Sequence, residues 1–192
     1  MADLDAWLQA VVETPGLTAL DDLLEARRVL VEDSLRALDV LRGTDGPIVD
    51  VGSGGGAPGI PLAIALPERE VVLLEANGGK CEFLRRWAPP NARVVQGRAE
   101  EQETEWAGAA VAKALAPPPV AAEWCLPLVR PGGVAVLYVG PSADSERVAT
   151  VAEQLNAELV EGPEGLFVLS KLGPTPEGFP RRTGVAKKRP LA

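Results

Sequence analysis

Histidine is absent from the 192 residues of the chain, and cysteine occurs only twice. Without histidine there can be no Ser-His-Asp triad, no Cys-His dyad and no histidine-ligated zinc. The two cysteines, Cys81 and Cys125, are too few for a zinc site of four thiolates. They also fit a reduced interior better than a disulfide-linked secreted protein, so we expect a cytoplasmic location.

Aromatic residues make up only 4% of the chain, so leucine, valine and alanine must fill most of the core. No apolar run reaches the roughly 18 residues that a membrane-spanning helix needs, and we therefore expect no membrane contact. The segment MADLDAWLQAVVETPG has neither the basic start nor the cleavage site of a signal peptide. A hydrophobic fraction of 46% and a charged fraction of 24% are typical of a globular protein with one principal domain.

Charge is distributed unevenly along the chain. Residues 171–192 contain six lysines and arginines and one acidic residue, a net charge of +5, whereas residues 1–170 carry a net charge of −13. An acidic surface repels nucleic acid, so a phosphate backbone would be contacted mainly by the basic C-terminal segment. The alternative interpretation is a loosely ordered tail that only increases solubility.

The spacing of apolar residues predicts three regions. Residues 1–45 form an N-terminal helical cap with helices over residues 4–12 and 17–41. In residues 46–173, short apolar runs alternate with helical patterns, which is typical of an α/β domain with a parallel sheet. Its predicted strands are residues 48–51, 71–75, 93–96, 110–114, 134–139 and 166–172, and its predicted helices are residues 59–66, 79–87, 120–128 and 145–155. Residues 174–192 form a basic tail without a regular pattern.

The segment DVGSGGGAPG, residues 50–59, follows the first predicted strand and precedes a helix. Its glycines allow positive φ angles and let a ligand approach bare backbone. Glu75 ends the next strand, 19 residues after Gly56, where a carboxylate can accept hydrogen bonds from both hydroxyls of a ribose. This pattern predicts a nucleoside-containing cofactor; the alternative is a structural turn and an unrelated surface glutamate.

Two nucleoside cofactors, NAD and S-adenosylmethionine, fit such a layout. NAD needs room for a pyrophosphate at the helix N-terminus, whereas here Ala57-Pro58-Gly59 fills the far end of the loop and Asp50 precedes it. An acidic pocket tolerates a cationic sulfonium better than a pyrophosphate. The start Asp-Val-Gly-x-Gly-x-Gly resembles motif I of S-adenosylmethionine-dependent methyltransferases, which favours the methyl donor.

Longer motifs resemble those of the RsmG (GidB) family, bacterial enzymes that methylate N7 of a guanine in 16S ribosomal RNA. The matching motifs are DSL (residues 33–35), DVGSGGGAPGIPLAIALPE (50–68), GKCEFLR (79–85), GRAEE (97–101) and FPRRTGVAKKRPL (179–191). The resemblance implies a Rossmann-like class I S-adenosylmethionine-dependent methyltransferase fold, in which a seven-stranded, mostly parallel sheet carries an N-terminal helical cap. Residue patterns alone locate six of these strands.

The resemblance also implies which residues form the site. Glu75 would hold the ribose, Ala99 and Glu100 would meet the adenine, and Lys113, in place of the family's arginine, would lie near the cofactor and the target base as the catalytic residue. The implied cofactor-binding residues are Gly52, Gly54, Ala57, Glu75, Ala99, Glu100 and Lys113, and the implied RNA-binding residues are Arg181, Arg182, Lys187 and Lys188. We expect no metal, because the acidic run at residues 100–103 is typical of a solvated helix start.

The reaction implied by the resemblance agrees with the absence of histidine. N7 of guanine carries a free lone pair, so the enzyme mainly has to align the reacting atoms. The expected partner is 16S rRNA or the small ribosomal subunit, and a monomer is favoured. Replacement of the family's arginine by Lys113 leaves open a non-catalytic S-adenosylmethionine-binding relative, and a nicotinamide oxidoreductase is a less favoured alternative.

Overall fold

The computed structural model describes residues 4–192, in which a seven-stranded sheet lies between two layers of helices. The helices are α1 Leu4–Glu13, α2 Leu23–Ala26, α3 Leu38–Arg42, α4 Gly59–Ala65, α5 Gly78–Trp87, α6 Pro118–Cys125, α7 Ser145–Gln154 and α8 Val185–Lys188. The strands are β1 Ile48–Val51, β2 Val71–Glu75, β3 Ala92–Gln96, β4 Ala107–Lys113, β5 Val129–Tyr138, β6 Ala157–Val160 and β7 Leu166–Lys171. Over these described residues, no helix is long and apolar enough to cross a membrane.

The strand order is β3-β2-β1-β4-β5-β7-β6, and only β7 runs antiparallel to its neighbours. The seven-stranded, mostly parallel sheet implied by the resemblance is confirmed. Because β1, β2 and β4 are adjacent and parallel, their carboxyl ends meet at one edge of the sheet. The direction of the strand order reverses between β1 and β4, and this is the position at which open α/β sheets bind ligands.

The sheet forms because its central strands are apolar on both faces and each face is covered. All five residues of β2 are buried, as are all four of β1. One face packs against α6 and α7 through residues such as Val148 and Val151, and the other packs against α1 and α4 through Trp7 and Ile60. The buried hydrophobic residues are almost all aliphatic, as the low aromatic content requires.

Strand β6 is the element that residue patterns missed. Its four residues pair only with β7, at the edge of the sheet, and only Ala157 is buried. A half-exposed edge strand needs no continuous apolar run, so its sequence, AELV, resembles the end of the preceding helix. The pairing partner and not the local sequence decides that these residues are extended.

The N-terminal region is not the regular helix that the pattern over residues 17–41 predicts. Helix α2 begins only at Leu23, because the Asp22 carboxylate caps it and accepts a hydrogen bond from the Glu25 amide at 2.8 Å. The preceding residues, 17–20, are not helical and line a cavity instead. The predicted helix start was therefore wrong by about two turns of helix.

The same region changes its helical geometry twice. After α2 the chain forms a π-helical segment, Arg27–Glu32, and a 3₁₀ segment, Ser34–Ala37, before α3. The Ser34 hydroxyl donates to the Leu30 carbonyl at 2.7 Å, and the Ser34 carbonyl accepts a hydrogen bond from the Tyr138 hydroxyl at 2.5 Å. These bonds compete with the regular backbone ladder, which explains why a single continuous helix was the wrong prediction.

The C-terminal segment, residues 174–192, is packed on the domain and is not a loose tail. Phe179 and Leu191 contact the core on the α6 and α7 side of the sheet, and Ala186 in α8 is only 2% exposed. The alternative of a tail that serves only solubility therefore does not describe this segment.

Candidate functional site

A cavity of about 600 Å³ opens at the carboxyl edge of β1, β2 and β4. All seven predicted cofactor-binding residues line it: Gly52, Gly54, Ala57, Glu75, Ala99, Glu100 and Lys113. Residues 17–20 and 29–30 of the N-terminal region form a second side, and Lys187 reaches it from the C-terminal segment. The volume is within the range of small-molecule sites, which is about 300–1,000 Å³.

The glycine loop after β1 is fixed by backbone conformation and by close packing. Gly52 has φ of +72°, and a Cβ atom at this position would lie 2.3 Å from Cδ1 of Leu115. Gly54 has φ of +55°, and its amide donates to Oε2 of Glu75 at 2.9 Å. Any side chain at position 52 would therefore strain the loop and displace the side chain of Leu115, which lies two residues after β4.

The Asp50 side chain also holds the glycine loop in place. Its Oδ2 accepts a hydrogen bond from the Gly59 amide at 3.0 Å, at the start of α4. The side chain is completely buried, and within residues 4–192 its Oδ1 atom has no hydrogen-bond partner. Burial raises the pKa of Asp50 to about 7, and the negative charge of Glu75 acts in the same direction.

Glu75 connects the end of β2 to the glycine loop. The side chain is nearly buried, with Oε1 accepting a hydrogen bond from the Asn77 amide at 2.8 Å and Oε2 bonded to Gly54. Each carboxylate oxygen can accept more than one hydrogen bond, so both retain capacity for a ribose hydroxyl. An ordered carboxylate beside a glycine loop fits the ribose of S-adenosylmethionine.

Lys113, at the end of β4, forms an ion pair with Asp33 of the DSL motif. Its ammonium also lies 5.5 Å from the ring centroid of Tyr138. Nη1 of Arg36 donates to the second Asp33 oxygen at 3.0 Å. Burial tends to raise the pKa of Asp33, but the hydrogen bonds from Lys113 and Arg36 outweigh burial and lower this pKa below its usual value.

The predicted RNA-binding residues separate into two groups. Arg181 faces inward, where Nε and Nη2 each donate at 2.5 Å to the carboxylate of Glu123, which is 3% exposed. Lys187 lines the cavity, and its ammonium lies 5.5 Å from the ring centroid of Trp124. Arg182, Lys187 and Lys188 are exposed. The four residues that the motif groups together therefore have different surroundings.

The acidic run after β3 contacts the C-terminal segment. Oε1 of Glu100 accepts a hydrogen bond from the Gly184 amide at 3.2 Å, and Oε1 of Glu101 accepts one from the Thr183 hydroxyl at 3.0 Å. Within the described part of the chain, no group of three or more cysteine or acidic side chains could hold a metal ion. The chemistry of the site is therefore that of carboxylates, ammonium groups and backbone amides.

Residue patterns missed three side chains at the site. Trp7 is fully buried, and its Nε1 donates to the Gly55 carbonyl at 2.9 Å. Asp33 holds Lys113, and Trp124 contacts Lys187. The DSL motif was a signal for Asp33, whereas no motif pointed to Trp7 or Trp124.

Solved structures with the same architecture define the class of this fold. The antibiotic-resistance methyltransferase Kmr superposes with a TM-score of 0.54 at 17% identity, covering 71% of this chain and 91% of Kmr. A TehB-like S-adenosylmethionine-dependent methyltransferase from Corynebacterium glutamicum gives a TM-score of 0.55 at 19% identity, covering 72% and 87% of the two chains. The fold is that of a class I S-adenosylmethionine-dependent methyltransferase, as predicted.

The chain belongs to the GidB family, described as rRNA small subunit methyltransferase G, whose family model matches residues 1–164. The small subunit methyltransferase G of Rubrobacter xylanophilus is 37% identical over 92% of this chain and 74% of the relative. The enzyme of the same name from Pelotomaculum thermopropionicum is 38% identical over 97% and 89%. The resemblance is thereby confirmed, and S-adenosylmethionine is confirmed over NAD as the cofactor.

Proposed function

We propose that the protein transfers the methyl group of S-adenosylmethionine to N7 of a guanine in 16S rRNA. The observation that carries this proposal is that the predicted cofactor residues and Lys113 line one cavity in a chain of this family. The curated relatives are named small subunit rRNA methyltransferases, which supports the RNA class of the substrate.

The cofactor would lie along the carboxyl edge of the sheet. Glu75 would accept hydrogen bonds from the ribose hydroxyls, and Ala99 and Glu100 would meet the adenine. Gly52, Gly54 and Ala57 would contact the methionine part through the loop. S-adenosylmethionine supplies an electrophilic methyl group on a sulfonium.

Lys113 is the residue that we propose beside the target base. The ion pair with Asp33 fixes the direction of its ammonium. Burial raises the pKa of the Tyr138 hydroxyl, and the charges of Asp50 and Asp33 raise it further, so this hydroxyl remains a hydrogen-bond donor. Because N7 of guanine already has a free lone pair, Lys113 has to align the base and need not remove a proton.

We propose that the exposed cations of the C-terminal segment, Arg182 and Lys188, contact the RNA backbone. Residues 1–170 carry a net charge of −13, so few other regions attract phosphate. In this proposal residues 1–45 act as a helical cap on the methyltransferase domain of residues 46–173, and residues 174–192 form a basic extension. The protein would act as a monomer on 16S rRNA or the small subunit in the cytoplasm.

Two measurements test the proposed function. In titration calorimetry, S-adenosylmethionine should bind the wild type, and Glu75→Ala should weaken binding by about 1–3 kcal/mol, the cost of losing hydrogen bonds to a charged group. Glu75→Gln is the matched control, because it retains an acceptor for the Gly54 amide. Thermal melting of both variants shows whether they fold.

The second measurement detects the product. Unmethylated 16S rRNA and 30S subunits are incubated with the protein and labelled S-adenosylmethionine, and the nucleosides are then analysed by mass spectrometry. We expect N7-methylguanosine in the RNA. Cofactor binding without methyl transfer to either substrate would instead identify a non-catalytic relative, and methylation at another guanine atom would contradict the assigned position.

A further inference from the structure

We propose that residues 181–189 form a wall of the cofactor pocket at its adenine end, and that Lys187 binds the cofactor there. The inference rests on the proposed function but goes beyond it, because the family model ends at residue 164 and the C-terminal motif was interpreted as an RNA contact. It separates two neighbouring lysines that the sequence assigns to the same task.

The first observation is that this segment is attached firmly beside the cavity. The Arg181 guanidinium forms two hydrogen bonds to the buried Glu123 carboxylate on α6, and its Nη2 also donates to the Arg189 carbonyl at 2.9 Å. One side chain thus closes residues 181–189 into a loop against α6. Ala186, between the two ends, is 2% exposed.

The second observation is a direct contact with a predicted adenine-binding residue. The Gly184 amide donates to Oε1 of Glu100, and Glu100 lines the cavity. The Thr183 hydroxyl donates to the next residue, Glu101. The position of the Glu100 carboxylate is therefore set partly by the backbone of the C-terminal segment.

The third observation is the position of Lys187. Its side chain and that of Trp124 both line the cavity, with the ammonium over the indole ring. The adenine end thus has a donor, the Lys187 ammonium, beside the acceptor Glu100.

This combination matches the edge of adenine. Adenine presents an amino donor next to a ring-nitrogen acceptor. The Glu100 carboxylate can accept from the amino group, and the Lys187 ammonium can donate to a ring nitrogen. Glu100 alone would leave the ring nitrogen without a donor, so Lys187 completes the recognition of the adenine edge.

Lys188 provides the matched comparison. It follows Lys187 in α8 and is exposed as Lys187 is, but it is not among the residues that line the cavity. Replacing either lysine with alanine removes one positive charge from the same turn of helix. A difference between the two variants in cofactor affinity therefore reports on position and not on net charge.

The test is titration calorimetry of S-adenosylmethionine and S-adenosylhomocysteine with the full-length wild type, Lys187→Ala and Lys188→Ala. Lys187→Ala should bind both ligands about tenfold more weakly, the effect of one hydrogen bond from a charged donor. The loss should be equal for the two ligands, because they share the adenosine part and differ at the sulfur. Lys188→Ala should remain within about twofold of the wild type, since surface charges act weakly.

Two further measurements complete the test: the cofactor affinity of Lys187→Arg and the RNA affinity of every variant. Arginine keeps a donor at this position, so we expect most of the cofactor affinity to return. Unchanged cofactor affinity in Lys187→Ala, an equal loss in Lys188→Ala, or a loss confined to RNA binding would each overturn the inference. A wild type that binds neither ligand would instead refute the proposed function, and the two failures are thus distinguishable.

Discussion

The two ends of the chain both cover the cavity, but they do so with different chemistry. The N-terminal region covers the glycine loop with apolar side chains: Trp7 is fully buried, and Val11 and Leu17 lie so close to Gly55 that a Cβ there would be 3.3–3.4 Å from them. The C-terminal segment uses charged groups, namely the Arg181–Glu123 ion pair and the bond from Gly184 to Glu100.

This difference indicates separate roles for the N-terminal region and the C-terminal segment. Apolar burial depends little on salt and fixes the shape of the loop through close packing. Charged contacts depend on geometry and on water access, and they offer specific donors and acceptors to a ligand. We therefore expect substitutions in the N-terminal region to affect folding of the glycine loop. Substitutions in the C-terminal segment should affect ligand recognition.

The largest effect is expected for Trp7→Ala. Removing this fully buried side chain leaves a void and should lower the free energy of unfolding by about 3–5 kcal/mol, and it should also disorder the glycine loop. Trp7→Phe is the control, since it keeps most of the volume and loses only the bond to Gly55, worth about 1 kcal/mol. Urea denaturation measures the stability of both variants. Equal stability of Trp7→Ala and the wild type would contradict the role of the N-terminal region in holding the glycine loop.

A somewhat smaller loss is expected for Arg181→Ala. The variant leaves the nearly buried Glu123 carboxylate without its partner, which should cost about 3 kcal/mol. The double variant Arg181→Leu/Glu123→Leu removes both charges and should be more stable than Arg181→Ala. Denaturation of the three proteins checks this order; additive losses in the double variant would show that the ion pair does not hold the segment.

The pH dependence of stability tests how the glycine loop is held, because the Asp50 carboxylate accepts a hydrogen bond from Gly59 at the end of this loop. Its pKa is raised from 3.8 in the unfolded chain to about 7 in the folded protein, so the folded state holds this proton more tightly. The stabilisation is fully present below the lower value and is lost as the pH rises through about 7. We therefore expect the stability of the wild type relative to Asp50→Asn to fall across this interval in denaturation experiments, and a constant difference would refute the raised pKa.

The smallest effect on stability, but a clear effect on rate, is expected for Asp33→Asn. The neutral amide no longer holds the Lys113 ammonium, so methyl transfer at saturating cofactor should slow by about tenfold while cofactor affinity stays nearly constant. Asp33→Glu should restore part of the rate. Tyr138→Phe keeps the ring beside Lys113 and loses only the bond to Ser34, so it serves as a control for a purely structural effect.

The result for Asp33→Asn also shows whether Asp33 positions Lys113 or only supports the packing of the DSL motif against β5. If Asp33→Asn and Tyr138→Phe slow the reaction equally, the contact between the DSL motif and β5 is structural, and Asp33 does not position Lys113. If cofactor affinity falls and the rate does not, Lys113 belongs to the cofactor site alone.

Much of the central sheet could be predicted from sequence because its signals are local. Strand β2 begins with four consecutive apolar residues and β1 is apolar except for Asp50, and their predicted bounds agree with the structure. The glycine loop and Glu75 could be located because one needs special φ angles and the other ends a strand. Strand β6 and the irregular helix after α2 were missed because pairing with β7 and hydrogen bonds to distant groups decide them.

The sequence by itself determined most of the sheet, the cofactor class, and the glycine loop and Glu75 that follow β1 and end β2, since parallel strands bring their carboxyl ends to one edge. Only the tertiary structure decided which cations of the C-terminal motif contact α6 or the cavity. Arg181 pairs with the buried Glu123 and the exposed Lys187 lines the cavity, because the segment folds back on α6. The direction of a side chain in an irregular segment depends on such distant partners, and no local pattern records it.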